Sequence, residues 1–227
     1  MIRHLAAVAA FALAAVPLHA TTYTFEPNHT EGVIRWDHLG FSHPTAQFSR
    51  VEGTLSFDPA EPTQASVAVT IPLANLSSGV PDLDDYLHAE EFFDVVKFPV
   101  ATFKSTRVEQ AGAPDRFKVT GELGLRGVSR SVTLDVTLNK IGINARNQLP
   151  AIGFEATTVL KRSDFGLGLY VPQVGDEVEI HITAQADEAK AYAQRLAQDA
   201  ADDAKSAAAK SAAAAAAAAK TKNTTTH

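Results

Sequence analysis

Apolar and polar residues alternate through most of residues 21–186, and this pattern constrains the fold more than any other feature. In Ser66–Leu73 the alternation puts Val67, Val69, Ile71 and Leu73 on one face. A period of two marks a strand with one face buried, because successive side chains point to opposite sides of the sheet. Val51, Gly53, Leu55 and Phe57 repeat it before the turn at Asp58-Pro59. Phe117, Val119, Gly121, Leu123 and Leu125 form another such face, and Val132, Leu134, Val136 and Leu138 a third. Gly127 lies between these two, where a tight hairpin needs it. Val178, Ile180, Ile182 and Ala184 make the last strand. Segments near Tyr23–Phe25, Val33–His38, Ala101–Val108 and Phe154–Leu160 bring the total to eight or nine strands. Strands spaced so regularly predict a sandwich or a closed antiparallel barrel. Closure removes exposed edges, and an eight-stranded barrel is wide enough to hold one small ligand.

One segment breaks the rhythm. In Pro81–Phe93, Leu83 and Leu87 stand four apart, behind a Pro-Asp start with acidic residues in the first turns. The helix dipole favours acids there. A short helix with its Leu and Phe face on a barrel end is predicted, as either a plug of the core or a lid over a ligand mouth.

The two ends of the chain differ from the middle. Met1–His4 is a short basic start, Leu5–Leu18 is apolar apart from Pro17, and Ala20 closes the segment. This is the layout of a secretory signal, with cleavage expected after Ala20. The apolar run falls short of the roughly 20 residues that span a bilayer. With no cysteine in the chain, there is no lipidated N-terminal Cys, disulfide or thiolate metal site. A bacterial periplasm is the expected location. Residues 187–227 are dominated by alanine, with Tyr192 and Leu196 the only larger apolar residues before the Ala run. A helical or disordered low-complexity tail is expected, too weakly apolar to anchor in lipid. A tether to a partner or to the cell envelope is the other reading. Residues 21–186 suit one domain with one core.

The formal net charge is −6, with both signs interspersed. No basic stripe is available to neutralise a phosphate backbone, so nucleic acid is not an expected partner. His29, His38, His43, His88, His181 and His227 show no metal-ligand spacing, and no P-loop, GxSxG or dinucleotide fingerprint occurs. Asp84 and Asp85 are adjacent on the helix and cannot both face one substrate. The stretch "RWDHLGFSHP" gathers histidines and an aspartate beside the only tryptophan. Alternation splits it. Ile34, Trp36 and His38 face inward, Arg35 and Asp37 face water, and His43-Pro44 belongs to the next turn. Two readings of His38 stay open: a core histidine satisfied by backbone or water, or a polar group that orients a ligand head.

Several runs agree with one family. "HLGFSHPTAQFSRVEGTLSFDP", "LDDYLHAEEFFDVVKFPVATFKS", "KVTGELGLRGVSRSVTLDV", "RSDFGLG" and "VGDEVEIHITAQA" resemble, in order and spacing, the YceI-like proteins. The resemblance covers Thr22 to Ala186. It implies a lipocalin-like, eight-stranded antiparallel barrel with a long apolar pocket, a periplasmic or secreted binder of isoprenoid chains, quinone-type molecules or other fatty amphiphiles. It establishes no catalytic residue, and no metal or cofactor is expected. Where family members often carry Arg-Asp-x-His-Leu, this chain has Leu83-Asp84-Asp85-Tyr86-Leu87, and Ala46 stands where Gly is usual.

With the inward registers, the resemblance assigns Ile34, Trp36, Val69, Ile71, Phe103, Leu123, Leu134 and Ile180 to the tunnel wall, with His38 its one polar residue. Leu83, Leu87, Phe92 and Phe93 fall at the lid end. Gly53 and Gly121, on inward registers, either leave room for a lipid tail or relieve strand bending. Arg126, Arg130 and Arg162 either meet an anionic head at a mouth or are solvated surface charges. The expected activity is lipid binding without catalysis. The alternatives are an enzyme acting on bound lipid or quinone, with His38 as acid–base or metal ligand, and a filled barrel that binds a partner protein. A homodimer is left open.

Overall fold

The structure, a computed structural model, describes residues 20–224. The expected signal segment, residues 1–20, lies outside the described residues apart from Ala20. The strands are β1 (Thr21–Phe25), β2 (Glu31–His38), β3 (Thr45–Phe48), β4 (Glu52–Phe57), β5 (Ser66–Pro72), β6 (Val100–Gln110), β7 (Arg116–Leu125), β8 (Val128–Ile143), β9 (Pro150–Lys161) and β10 (Val174–Glu188). Helix α1 (Pro81–His88) lies between β5 and β6, and α2 (Ala189–Thr224) follows β10.

The hydrogen-bonded order is β1-β4-β5-β6-β7-β8-β9-β10, and β10 returns to β1 to close an antiparallel barrel of eight positions. The two extra segments subdivide the ring. β10 is long enough to hold β2 along Val174–Thr183 and β1 along Ala186–Glu188. β3 pairs with β2 as β4 pairs with β1. Between β3 and β4 the chain breaks at Arg50, whose φ of 56° is left-handed. β3 escapes the alternation pattern because only four residues, bounded by Pro44 and this break, belong to it. Register shifts in β6, β8 and β10 supply the bends that closure requires. The β7–β8 hairpin turns on Arg126 and Gly127, both at positive φ, as a two-residue turn demands.

The inward registers match the sequence pattern. Val67, Val69 and Ile71 of β5, Val119 and Leu123 of β7, Val132 and Leu134 of β8, and Val178 and Ile180 of β10 face the interior. The outer face carries exposed polar pairs such as Lys118–Asp135 at 2.7 Å and Arg35–Glu179 at 2.9 Å. Each is worth no more than about 1 kcal/mol. The end bearing the β4–β5 and β8–β9 connections is closed by buried Tyr23, Phe25, Leu55, Phe57, Ile152 and Ala186. Phe154 meets Phe57 there edge to face, with centroids 6.4 Å apart.

Three details differ from the expected pattern. Leu73 lies in a 3₁₀ turn (Leu73–Asn75) rather than the strand, because Pro72 ends the ladder; its side chain is still fully buried. The helix stops at His88, so Phe92 and Phe93 sit on the following turn, which folds back with the Phe93 amide donating to the Leu87 carbonyl. Asp187, the first residue of the Ala-rich segment, belongs to β10. It is fully buried and accepts hydrogen bonds from Asn147 and Gln185. The segment beyond it is the helix α2, tied down at its start by Glu188 accepting from the Lys190 and Ala191 amides. No helix among the described residues is long and apolar enough to cross a membrane.

Candidate ligand cavity

A cavity of about 550 Å³ runs along the barrel axis. That lies in the range of small-molecule sites. Its wall includes Ile34, Trp36, Val69, Ile71, Phe103, Leu123, Leu134 and Ile180, and its α1 end includes Leu83, Leu87, Phe92 and Phe93. The structure thus brings every sequence-predicted position, His38 included, to one space. Phe48 meets Phe93 edge to face at 6.3 Å, which joins the barrel wall to the turn after α1. The cavity also takes Phe165, Leu167 and Tyr170 from the β9–β10 loop and Tyr86 from α1. None of these four is among the expected lining residues, although Tyr86 is noted as a departure from the family motif. The loop has no periodicity to read, and Tyr86 differs from the helix's Leu pair by its hydroxyl.

His38 stands apart from the expectation of a buried histidine. Its register is inward, but it ends β2 and is exposed at the mouth, where the chain turns away through Leu39 and Gly40 at positive φ. Asp37 faces outward as expected, accepting from the Gly40 amide at 3.0 Å and lying 3.7 Å from His43. Among the described residues no group of three His, Asp or Glu side chains is placed to hold a metal ion.

The expectation that Gly53 and Gly121 leave room for a lipid tail does not hold in the structure. A Cβ on Gly121 would lie 2.4 Å from Phe103 Cζ, and one on Gly53 would lie 2.2 Å from the Ala68 carbonyl oxygen and 2.8 Å from Val69 Cγ1. At Gly121 the Phe103 ring fills the space beside the glycine, and at Gly53, whose φ is 154°, the β5 backbone approaches closely. Gly121 thus admits a large wall residue of the adjacent strand, Gly53 admits the adjacent backbone, and neither leaves empty lumen.

The arginines also divide differently. Arg162 donates from Nε to the Gly175 carbonyl at 2.8 Å, from Nη1 to those of Leu167 and Leu169, and from Nη2 to that of Val174. Burial lowers its pKa from the ordinary value, against the pull of Asp176. Arg126 donates to the carbonyls of Gly166 and Glu90, tying the hairpin to the β9–β10 loop and to the turn after α1. Both arginines are clasps on backbone, which fits a guanidinium with fixed, fanned donors. Arg130 is exposed, lines no part of the cavity, and donates to the Ser129 carbonyl.

Helix α1 is held over the mouth by polar ties. Asp84 accepts from the Ser77 hydroxyl at 2.7 Å and from the Ser78 amide and hydroxyl. These bonds, the Ser78 hydroxyl foremost, hold its carboxyl below the usual range. Tyr86 donates its hydroxyl to that of Tyr170 at 3.0 Å across the mouth and rests on the Phe92 ring, centroids 4.7 Å apart. The hydrogen bond with Tyr170 raises the Tyr86 pKa.

Comparison with known proteins agrees with this architecture. The YceI-like domain family matches residues 23–186. Protein YceI of Salmonella arizonae (strain ATCC BAA-731 / CDC346-86 / RSK2980) is 35% identical over 160 residues, covering 70% of this chain and 82% of its own. Among solved structures, Burkholderia cenocepacia BcnA superposes with a TM-score of 0.62 at 26% identity, covering 69% of this chain and 95% of its own. A domain from Saccharophagus degradans, described as polyisoprenoid binding and implicated in plant cell wall breakdown, shares the fold at 13% identity, with a TM-score of 0.59 over 74% of this chain and 99% of its own. With its barrel, its cavity and the family match coinciding over the same residues, the chain belongs to the YceI-like family.

Proposed function

We propose that this protein is a periplasmic carrier that holds the chain of an isoprenoid lipid, an isoprenoid quinone or a comparable fatty amphiphile in the barrel, without transforming it. The carrying observation is the apolar cavity, continuous from the α1 mouth to the aromatic cluster that closes the far end. Each CH₂ moved from water into such a space contributes about 0.8 kcal/mol. A long chain is therefore held by length of dry wall and needs few polar contacts. The polyisoprenoid-binding description of the Saccharophagus degradans domain supports the same class of ligand.

The test is to purify the exported protein from cells, extract it with organic solvent and identify the extract by mass spectrometry. An isoprenoid or similar amphiphile, recovered intact and at a fixed ratio to protein, is the expected result. An empty extract, together with no uptake of added quinone or polyprenyl lipid, overturns the proposal. Trp36, the only tryptophan, lines the cavity, so its fluorescence should respond to ligand and Trp36→Phe should abolish the response. Chemical change of the bound lipid that is lost in His38→Gln would favour an enzyme instead.

A further inference from the structure

The polar groups along the cavity are few, and most already have partners. Thr30 donates to the Gln185 carbonyl and Thr158 to that of Thr133. Glu31 accepts from Gln47. Arg162 directs four of its N–H groups to backbone carbonyls. Ser66 is exposed at the opposite rim. At the mouth, three side chains that border the cavity keep hydrogen-bonding capacity: His38, Tyr86 and Tyr170. They belong to one neighbourhood, since His38 pairs with Val174, whose amide donates to the Tyr170 carbonyl at 2.8 Å.

We infer that the paired hydroxyls of Tyr86 and Tyr170, with the His38 imidazole, form the head-group site, and that it takes an uncharged head bearing a carbonyl or hydroxyl oxygen rather than a phosphate. This rests on the lipid-carrier reading above. Tyr86 donates to Tyr170, so the Tyr170 O–H is left to donate outward. A hydroxyl that is itself accepting a hydrogen bond donates more strongly. Such a donor suits one neutral oxygen. A phosphate carries more charge than two phenols can compensate, and no guanidinium or ammonium lining the mouth has donors to spare for it. Of the nearby cations, both clasp arginines hold backbone, and Arg130, Lys97 and Lys161 line no part of the cavity. Acidic Asp82, Asp85, Glu90 and Glu91 on and beside α1 further oppose an anionic head.

The experiment follows Trp36 fluorescence of the delipidated full chain with farnesol, a farnesyl-tailed quinone, farnesyl diphosphate and squalene. Farnesol and the quinone should bind at least about tenfold more tightly than the diphosphate. Tyr170→Phe and the Tyr86→Phe/Tyr170→Phe pair should weaken farnesol and the quinone about three- to tenfold, with squalene held as before. Equal or tighter binding of the diphosphate overturns the inference while leaving the carrier proposal intact. So does a parallel loss of squalene in the variants, which would make the tyrosines only a latch on the helix. Failure of every probe, squalene included, overturns both.

Discussion

Replacing Gly121 by alanine tests how the barrel wall is assembled. The new methyl would sit 2.4 Å from Phe103 Cζ, 2.7 Å from Phe103 Cε2 and 2.6 Å from the Lys104 carbonyl oxygen. The ring can swing toward the cavity, but the carbonyl belongs to β6, hydrogen-bonded to β7 along this stretch. Overpacking of this kind costs about 1–3 kcal/mol. Phe103→Leu removes both ring atoms and leaves the carbonyl in place; alone it costs about 1–2 kcal/mol. The double variant should therefore lose less than the sum by about 1 kcal/mol and still fall short of the parent. Equilibrium urea unfolding reads this as a shift of midpoint at constant slope. If Gly121→Ala is neutral within about 0.5 kcal/mol and additive with Phe103→Leu, while lipid affinity drops, the reasoning fails. That glycine would then be keeping lumen open for the ligand.

The two ends of the barrel should respond differently to truncation. Ile152→Ala, in the closed end at 1% exposure, should cost about 2–5 kcal/mol in urea unfolding. Leu134→Ala borders existing space, so it should cost about 1–2 kcal/mol and show mainly as weaker lipid binding. Arg162→Met leaves several loop carbonyls without donors and should destabilise by at least about 1–3 kcal/mol, with faster amide exchange along 162–175. The folded-state pKa values of Asp84, Asp176 and Glu26 are all depressed. At Asp176 and Glu26 burial opposes this, but hydrogen bonds from Ser163 and from His29 and Asn28 outweigh it. Their contribution is therefore complete above the ordinary carboxylate pKa of about 4 and is lost as pH falls through the lower folded values. Because Asp84 and Asp176 both tie mouth segments, lipid release on acidification should precede loss of far-UV signal.

The wall of the site and the apolar residues of its α1 end were legible in the sequence and the polar part of the mouth was not, for a physical reason. Val69, Leu123, Leu134 and Ile180 declare their side by alternation, since a strand has only two faces and one of them is dry. His38 obeys the same rule in direction, but alternation carries no information on depth, and the strand ends beneath it. Tyr170 and Arg162 act through a loop and through backbone carbonyls, neither of which leaves a period. Gly121 carried the right register and the wrong expectation, because what fills a missing Cβ is decided by the neighbouring strand. Phe103 lies across the ladder and not along the chain.

Helix α2 leaves the barrel from β10 at the closed end, away from α1 and the tyrosine pair. At about 1.5 Å per residue, its 36 residues reach roughly 54 Å. A dye, an affinity handle or a solid support joined near Thr224 would stand at the far end of that rod. Because α2 lines no part of the cavity, protein captured through it keeps the site free of the attachment, so loading and unloading can be followed on a surface.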